Sequence, residues 1–268
     1  MQNSYFDLTK ELNKEGPIAA LASGQAVVFY RLAMMSKDGD WILRETLEAC
    51  RRVLAVLGRH GARYRPGAPL DLRWLAGGWS SHFEFFDPKS RRIRCDFLTR
   101  PPRVRPEELA ALFAPRGEPM IVVQIEPLIR MKQTQRAKDY PVVGELARLL
   151  PPEREIELTT DPDRVLALAP LHGQRSERRA IQAAHAGRSR EEIVVELARE
   201  ADRMQTEDRA RLERYRAASE VFLREFQAAD IAALPLPDAH QRLLELAQRW
   251  LPLDPLAATG DVEHGTAK

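Results

Sequence analysis

The stretch Leu21 to Trp41, LASGQAVVFYRLAMMSKDGDW, decides the fold. It opens with the small-residue turn Ser23-Gly24 and closes with two aspartates, Asp38 and Asp40, that are two positions apart. Residues two apart on a strand point to the same face, so these carboxylates would repel each other unless a cation lies between them. Mg²⁺ is commonly held by one or two carboxylates together with substrate phosphates. The pattern therefore predicts a site for Mg²⁺ or Mn²⁺, and the alternative is a solvent-exposed Lys-Asp-Gly-Asp turn.

Hydrophobic spacing around this stretch predicts an α+β fold, with several strands among helices and a mainly helical region after them. The Asp38-Gly39-Asp40 run is expected to enter a strand that continues through Leu43. Segments 81–86 and 91–98 are expected to pair as a hairpin that carries Asp96 on its second arm. The other expected strands are 18–22, 68–75 and 120–123, and the expected helices are 4–14, 25–35, 45–60 and the region 132–150.

The order of these motifs resembles the nucleotidyltransferase (polymerase β-like) superfamily. Its signature is a Gly-Gly or Gly-Ser turn, a helix, and then Asp-apolar-Asp entering a strand, with a third carboxylate on a later strand after a basic residue. Here thirteen residues separate Gly24 from Asp38, and Arg92-Ile93-Arg94-Cys95-Asp96 fits the later strand. Two positions depart from the signature, because Ser23 stands where the first glycine is expected and Gly39 where an apolar residue is expected.

A further set of residues is similar to the toxin branch of that superfamily, the AbiEii-like nucleotidyltransferases of toxin-antitoxin systems. The helix of that branch carries spaced apolar residues, then a lysine, an arginine and a basic-Asp pair. Residues 125–132, IEPLIRMK, and 136–139, RAKD, fit that pattern, and Lys132, Arg136 and Asp139 are expected on one helix. The resemblance covers residues 15–150.

The resemblance implies a role for each of these side chains. Asp38 and Asp40 would hold two metal ions, and Asp96 would hold the ion that activates the acceptor hydroxyl or would itself accept that proton. The residues expected to contact the nucleotide are Ser23 and Gly24 through the backbone, Ser36 and Lys37 beside them, Lys132 on a phosphate, and Arg136 and Asp139 around Lys132. For the lysine and arginine residues the alternative is a solvated helix face with a local ion pair.

Composition excludes several other classes of protein. The 268 residues carry a formal net charge of only +2, so no overall basic excess marks a nucleic-acid-binding protein. The two cysteines, Cys50 and Cys95, do not make a disulfide framework, and no Cys/His spacing typical of zinc occurs. Neither a signal-like apolar core nor a membrane-length apolar run is present in the sequence. The sequence therefore predicts a cytoplasmic protein that is not bound to a membrane.

The second half of the chain reads as helical. Pro151-Pro152 predicts a boundary between a catalytic domain, 1–150, and a helical domain, 151–256, followed by a disordered tail, 257–268. Ser189 and Glu192 form a capping-box pattern, after which no Gly or Pro occurs until Pro235. This long segment is either one continuous helix or two helices with a break near 205–208.

These observations predict an enzyme that transfers a nucleoside monophosphate from an NTP to a hydroxyl group and releases pyrophosphate. The resemblance implies an acceptor that is tRNA or another RNA, a protein or a small molecule, and a toxin with a cognate antitoxin as partner. The alternative is a catalytically degenerate member that binds a nucleotide or a partner protein. Ser23 and Gly39 are the residues that favour this alternative.

Overall fold

Five strands form one mixed sheet in the order β1-β2-β5-β4-β3 in this computed structural model, which describes residues 3–114 and 117–256. Strands β2 and β5 are parallel, and the other neighbouring strands are antiparallel. The chain therefore has the predicted α+β fold, with the predicted β4–β5 hairpin confirmed. The strands are β1 Ala19–Ala22, β2 Asp38–Leu43, β3 Arg63–Arg65, β4 Ser81–Phe86 and β5 Arg92–Leu98.

Helices flank the sheet and make up most of the described residues after residue 150. In the first half they are α1 Ser4–Leu12, α2 Ser23–Phe29, α3 Leu47–Arg59, α4 Leu72–Leu75, α5 Pro106–Leu112, α6 Ile125–Lys132 and α7 Tyr140–Ala147. In the second half they are α8 Pro152–Leu158, α9 Pro162–His172, α10 Arg179–His185, α11 Arg190–Ala228 and α12 Leu236–Trp250. No helix among the described residues has both the length and the apolar character needed to cross a membrane.

One face of the sheet is apolar and aromatic. Trp41 stacks on Phe97 with ring centroids 5.2 Å apart, and Phe83 lies 4.3 Å from Tyr64. Helix α1 covers this face, since Trp41 Nε1 donates to the Thr9 hydroxyl at 2.9 Å. Because side chains alternate along each strand, the opposite face carries Asp38, Asp40 and Asp96. The packed face thus fixes the register that brings the charged residues together.

Two apolar clusters lie along the chain, and α11 contributes to both. Phe222 and Phe226 pack in the cluster around the sheet, and Ile193 and Leu197 pack in a second cluster formed within 156–197. The helix is continuous for 39 residues, and its predicted Ser189 capping box is confirmed. Residues of α12 also join the sheet cluster. The division at residue 150 stays a prediction, and the expected tail, 257–268, lies outside the described residues.

Helix α2 is shorter than predicted, because it ends at Phe29 instead of Met35. Arg31 has a left-handed backbone with a φ of 63°, and the N–H of Leu32 donates to the Val27 carbonyl at 3.1 Å. This is the Schellman arrangement that commonly ends helices at a glycine. Here the left-handed residue is an arginine, so the sequence does not indicate where α2 ends.

Two further predictions about elements are wrong. Segment 68–75 is not a strand, because Asp71 caps the short helix α4 by accepting the Arg73 N–H at 2.9 Å. The region 132–150 is not one helix either. Helix α6 ends at Lys132, and a 3-10 turn, Ala137–Asp139, precedes α7. The expected strand 120–123 is reduced to a single parallel bridge between Val122 and Leu21.

Candidate active site

A row of polar side chains crosses four strands at the charged face of the sheet. Asp40 on β2 is paired in register with Asp96 on β5, Asp96 with His82 on β4, and His82 with Arg65 on β3. Paired residues on neighbouring strands point to the same face, so the two carboxylates lie side by side. Asp38 lies on that face too, two residues before Asp40.

Asp40 is the carboxylate most perturbed by its surroundings. Burial raises its pKa from 3.8 to about 6, and the negative charges of Asp96 and Asp38 push it in the same direction. The Ser23 hydroxyl and the Lys132 ammonium partly offset this by favouring the charged form. A poorly solvated carboxylate beside two others is the environment that a cation relieves.

Basic side chains already contact the other two carboxylates. Arg65 Nη1 donates to Asp96 Oδ1 at 3.2 Å, and His82 Nδ1 lies 2.7 Å from the same oxygen without hydrogen-bond alignment. Arg94 lies 3.5 Å from Asp38. In the part of the chain that the structure describes, no three His, Cys, Asp or Glu side chains are grouped closely enough to hold a metal ion. The donor type nevertheless suits Mg²⁺ or Mn²⁺, and a cation beside Asp40 and Asp96 would take the place of the Arg65 contact.

The turn after β1 packs tightly against the loop before β2. A Cβ atom at Gly24 would come within 2.3 Å of the Ser36 hydroxyl, so any larger residue would require Ser36 to move. Gln25 Nε2 donates to the Ser36 carbonyl at 2.8 Å, and the Tyr5 hydroxyl donates to the Lys37 carbonyl at 2.6 Å. The structure therefore brings Ser23, Gly24, Ser36 and the Lys37 backbone together, while the Lys37 side chain is exposed.

Ser23 has a left-handed backbone, with a φ of 48°. Glycine adopts this conformation readily, and other residues adopt it at a cost. The departure of Ser23 from the superfamily signature is therefore a departure at a strained position. Gly39, the other departure, has a packing reason, because an added Cβ would lie 2.5 Å from the rings of both Tyr5 and Trp41. Strand β2 is continuous through it.

Lys132 is the last residue of α6 and is only 7% exposed. Burial lowers its pKa, while the nearby carboxylates of Asp139 and Asp40 act against this. Asp139 pairs instead with Arg136 at 2.8 Å, and among the described residues Lys132 forms no direct ion pair. The three residues lie together although they do not share a helix. A buried ammonium without a direct partner is a suitable contact for an anionic ligand.

Sequence reasoning missed Arg65 and His82. Alternation along 81–86 places His82 and Glu84 on one face, which was the available signal. The alternation does not predict that β4 pairs with β5 and with β3. These pairings place both basic residues beside Asp96.

Comparisons with known proteins give a partial likeness. No protein-family model matches the chain, and no curated protein matches it. A crystal structure of a "putative nucleotidyltransferase" from H. pylori is 14% identical with a TM-score of 0.39, covering 77% of this chain and 95% of that chain. The structure of JHP933 from Helicobacter pylori is 15% identical with a TM-score of 0.38, covering 80% of this chain and 94% of that chain.

Proposed function

We propose that this protein is a cytoplasmic, metal-dependent nucleotidyltransferase that transfers a nucleoside monophosphate from an NTP to a hydroxyl group. The observation that carries the proposal is the pairing of Asp40 with Asp96 on parallel strands, with the Ser23 turn and Lys132 both acting on Asp40. Carboxylates, a tight glycine turn and a buried lysine are the groups that nucleotidyl transfer requires in one place, because the protein mainly positions reactants and balances charge.

Each residue has a role in this proposal. Asp38, Asp40 and Asp96 would hold Mg²⁺ or Mn²⁺, which supplies positive charge against the phosphates when bound. Ser23 and Gly24 present backbone to the triphosphate, and Ser36 and Lys37 lie beside it. Lys132 contacts a phosphate, and Arg136 and Asp139 hold one another next to it. These residues align the α-phosphorus with the acceptor hydroxyl.

The transfer step balances without any redox partner. The acceptor oxygen attacks the α-phosphorus, the bond from the α-phosphorus to the bridging oxygen breaks, and pyrophosphate leaves with that electron pair. Asp96 accepts the proton of the acceptor hydroxyl, and Arg65 and His82 are the basic residues beside it. Asp40 lies on the nucleotide side of the site, because the Ser23 hydroxyl and the Lys132 ammonium both interact with its carboxylate.

The acceptor side is marked by a cavity of about 330 Å³ that reaches His82. Trp79, Tyr215, Arg211 and Arg216 line it, and none of its described lining residues is acidic. A basic, aromatic surface favours an anionic acceptor such as RNA over a cationic small molecule. We propose an RNA acceptor, tRNA included, with a protein hydroxyl as the alternative, and a toxin role that a cognate antitoxin would restrain.

The test is transfer of label from each α-labelled NTP, with Mg²⁺ or Mn²⁺, to total RNA or protein. Asp40→Asn keeps size and one ligating oxygen but removes the charge, so label transfer should fall by about two orders of magnitude or more. Asp202→Asn, an exposed carboxylate on α11, is the matched control and should transfer label like the wild type. Equal transfer by Asp40→Asn would remove this site from the activity.

A second candidate function is nucleotide or partner binding without catalysis. The engagement of Asp96 by Arg65 and His82 favours it, because those contacts occupy the proposed metal ligand. NTP with metal would then raise the melting temperature by mass action, yet no acceptor would be labelled. Label transfer by the wild type would exclude this candidate.

A further inference from the structure

Asp208 is an anomalous residue in the middle of α11. It interrupts the apolar repeat of the helix, and it is only 2% exposed while its neighbours Glu207 and Arg209 are exposed. Burying a carboxylate is costly unless its oxygens are satisfied. One oxygen accepts from Arg211 Nη2 at 3.0 Å within α11, and the other accepts the backbone N–H of Gln135 at 2.9 Å. Asp208 therefore links the helix to a distant segment of chain.

That segment, residues 133–135, is the non-helical connection that follows Lys132. It is joined to α11 at two further points. Arg103 donates to the carbonyls of Gln133, at 2.6 Å, and Met204, at 2.9 Å. The Tyr140 hydroxyl lies 3.3 Å from the carbonyls of both Thr134 and Ala201 and can donate to either.

The three attachment points on α11 are residues 201, 204 and 208, which lie on one face of a helix. Three consecutive residues of the connection are thus held by one helix face. On one side of the connection stands Lys132, and on the other stand Arg136 and Asp139. Thr134 Oγ1 also donates to Asp139 Oδ2 at 3.1 Å.

We propose that Asp208 is a positioning residue, which holds the connection so that Lys132 faces Asp40 and the incoming phosphates. This rests on the proposed nucleotidyl transfer. It assigns part of the nucleotide site to the helical second half of the chain, outside the region 15–150. Arg103 holds the same connection, because it joins the carbonyls of Gln133 and Met204, and its own backbone is left-handed with a φ of 63°.

The experiment measures binding of each of the four NTPs with Mn²⁺, by calorimetry, to full-length variants. Asp208→Ala leaves the Gln135 N–H without an acceptor and should weaken the affinity about tenfold or more. Asp208→Asn keeps an oxygen for that N–H and should bind within about threefold of the wild type. Glu220→Gln, which changes an exposed carboxylate of α11 away from the connection, should bind like the wild type. Hydrogen exchange should quicken over residues 133–139 in Asp208→Ala alone.

Wild-type affinity for NTP in Asp208→Ala would overturn the proposal. An equal loss of affinity in Asp208→Ala and Asp208→Asn would overturn it too, because the loss would then come from the contact with Arg211. If Asp208→Ala does not fold, Arg103→Asn tests the same attachment, because asparagine tolerates a left-handed backbone. It should show the same loss of affinity. Failure of the wild type to bind any NTP would instead reject the proposed function, and the role of Asp208 in nucleotide binding with it.

Discussion

Asp40 carries a charge that its surroundings disfavour. Its pKa is raised from 3.8 to about 6, so between these pH values the folded chain holds a proton that the unfolded chain has released. Stability contributed by the protonated form is therefore present below about pH 4 and is lost as the pH rises through about 6. The same displacement makes Asp40 a suitable place for a cation at neutral pH.

Asp40→Asn should consequently raise the free energy of unfolding by about 1–3 kcal/mol above pH 6. Near pH 3.5 the substitution should change the free energy of unfolding little. Urea unfolding at pH 3.5 and 7.5 measures this difference. Saturating Mn²⁺ should narrow it at pH 7.5, because only the wild type binds the ion well. A variant that gains nothing at pH 7.5 relative to pH 3.5 would show that the Asp40 carboxylate is not disfavoured.

Ser23 combines a strained backbone with a hydroxyl that favours the ionised form of Asp40. Ser23→Gly should relieve about 1 kcal/mol of left-handed strain and also move the pH midpoint of Mn²⁺ binding upward. Ser23→Ala is the matched control, since it loses the hydroxyl and keeps the strain. It should show the same pH shift with no gain in stability. Equal melting temperatures for the two variants would show that the backbone at Ser23 is not strained.

The aspartates of the candidate site could be predicted from sequence because their spacing is local. Asp38 and Asp40 are two residues apart, and a short hairpin pattern places Asp96. Arg65 and His82 could not be placed, because their contact with Asp96 depends on the register of three strands that are far apart in the chain. Gly39 favoured a catalytically degenerate member, because the rings of Tyr5 and Trp41 that require a glycine there could not be inferred from the sequence.

Helices α2 and α3 end with the same backbone arrangement but with different residues. Gly61 follows α3 with a φ of 63°, and the Ala62 N–H donates to the Leu57 carbonyl at 3.0 Å. Arg31 is the equivalent residue after α2. The end of α3 near Gly61 could therefore be predicted, while Arg31 concealed the end of α2. Helix α6 stops for another reason: no Gly or Pro follows Lys132 before Pro141, and contacts with Arg103, Tyr140 and Asp208 hold residues 133–135 out of a helix.

Arg31→Gly should raise the free energy of unfolding by about 0.5–1 kcal/mol. Glycine removes the strain of the left-handed backbone, and the greater entropy of the unfolded chain offsets part of that gain. Gly61→Ala is the opposite change at the equivalent position and should lower it by about 1 kcal/mol. Thermal and urea unfolding of the two variants measure whether the free energy of unfolding rises or falls in each. Destabilisation by Arg31→Gly would mean that the Arg31 side chain stabilises the helix end.

The sheet depends on residues from both ends of the described chain. Helix α12 buries Leu243 and Leu246 in the sheet cluster, and the Tyr64 hydroxyl lies 2.7 Å from His240 Nδ1. Trp74 Nε1 donates to the Leu251 carbonyl at 3.0 Å. The sequence could predict α12 from its amphipathic spacing, but not that it packs on the sheet, since nothing local identifies the partner of an apolar helix face.

A chain that stops at residue 228 should therefore lose cooperative unfolding, because it leaves the sheet cluster open and two buried side chains without their partners. The full-length chain is the control and should unfold cooperatively. Circular dichroism and urea unfolding distinguish the two. Cooperative folding of a chain that stops at residue 150 would instead support the boundary at Pro151-Pro152.

The packing of α12 on the sheet also sets an order of events during synthesis. The cluster within 156–197 is built from neighbouring segments, so it can form as soon as they leave the ribosome. The apolar cluster around the sheet cannot be completed until Leu251 has emerged, although the first strand was made more than two hundred residues earlier. The nascent chain therefore leaves part of the apolar cluster around the sheet uncovered until α12 has emerged.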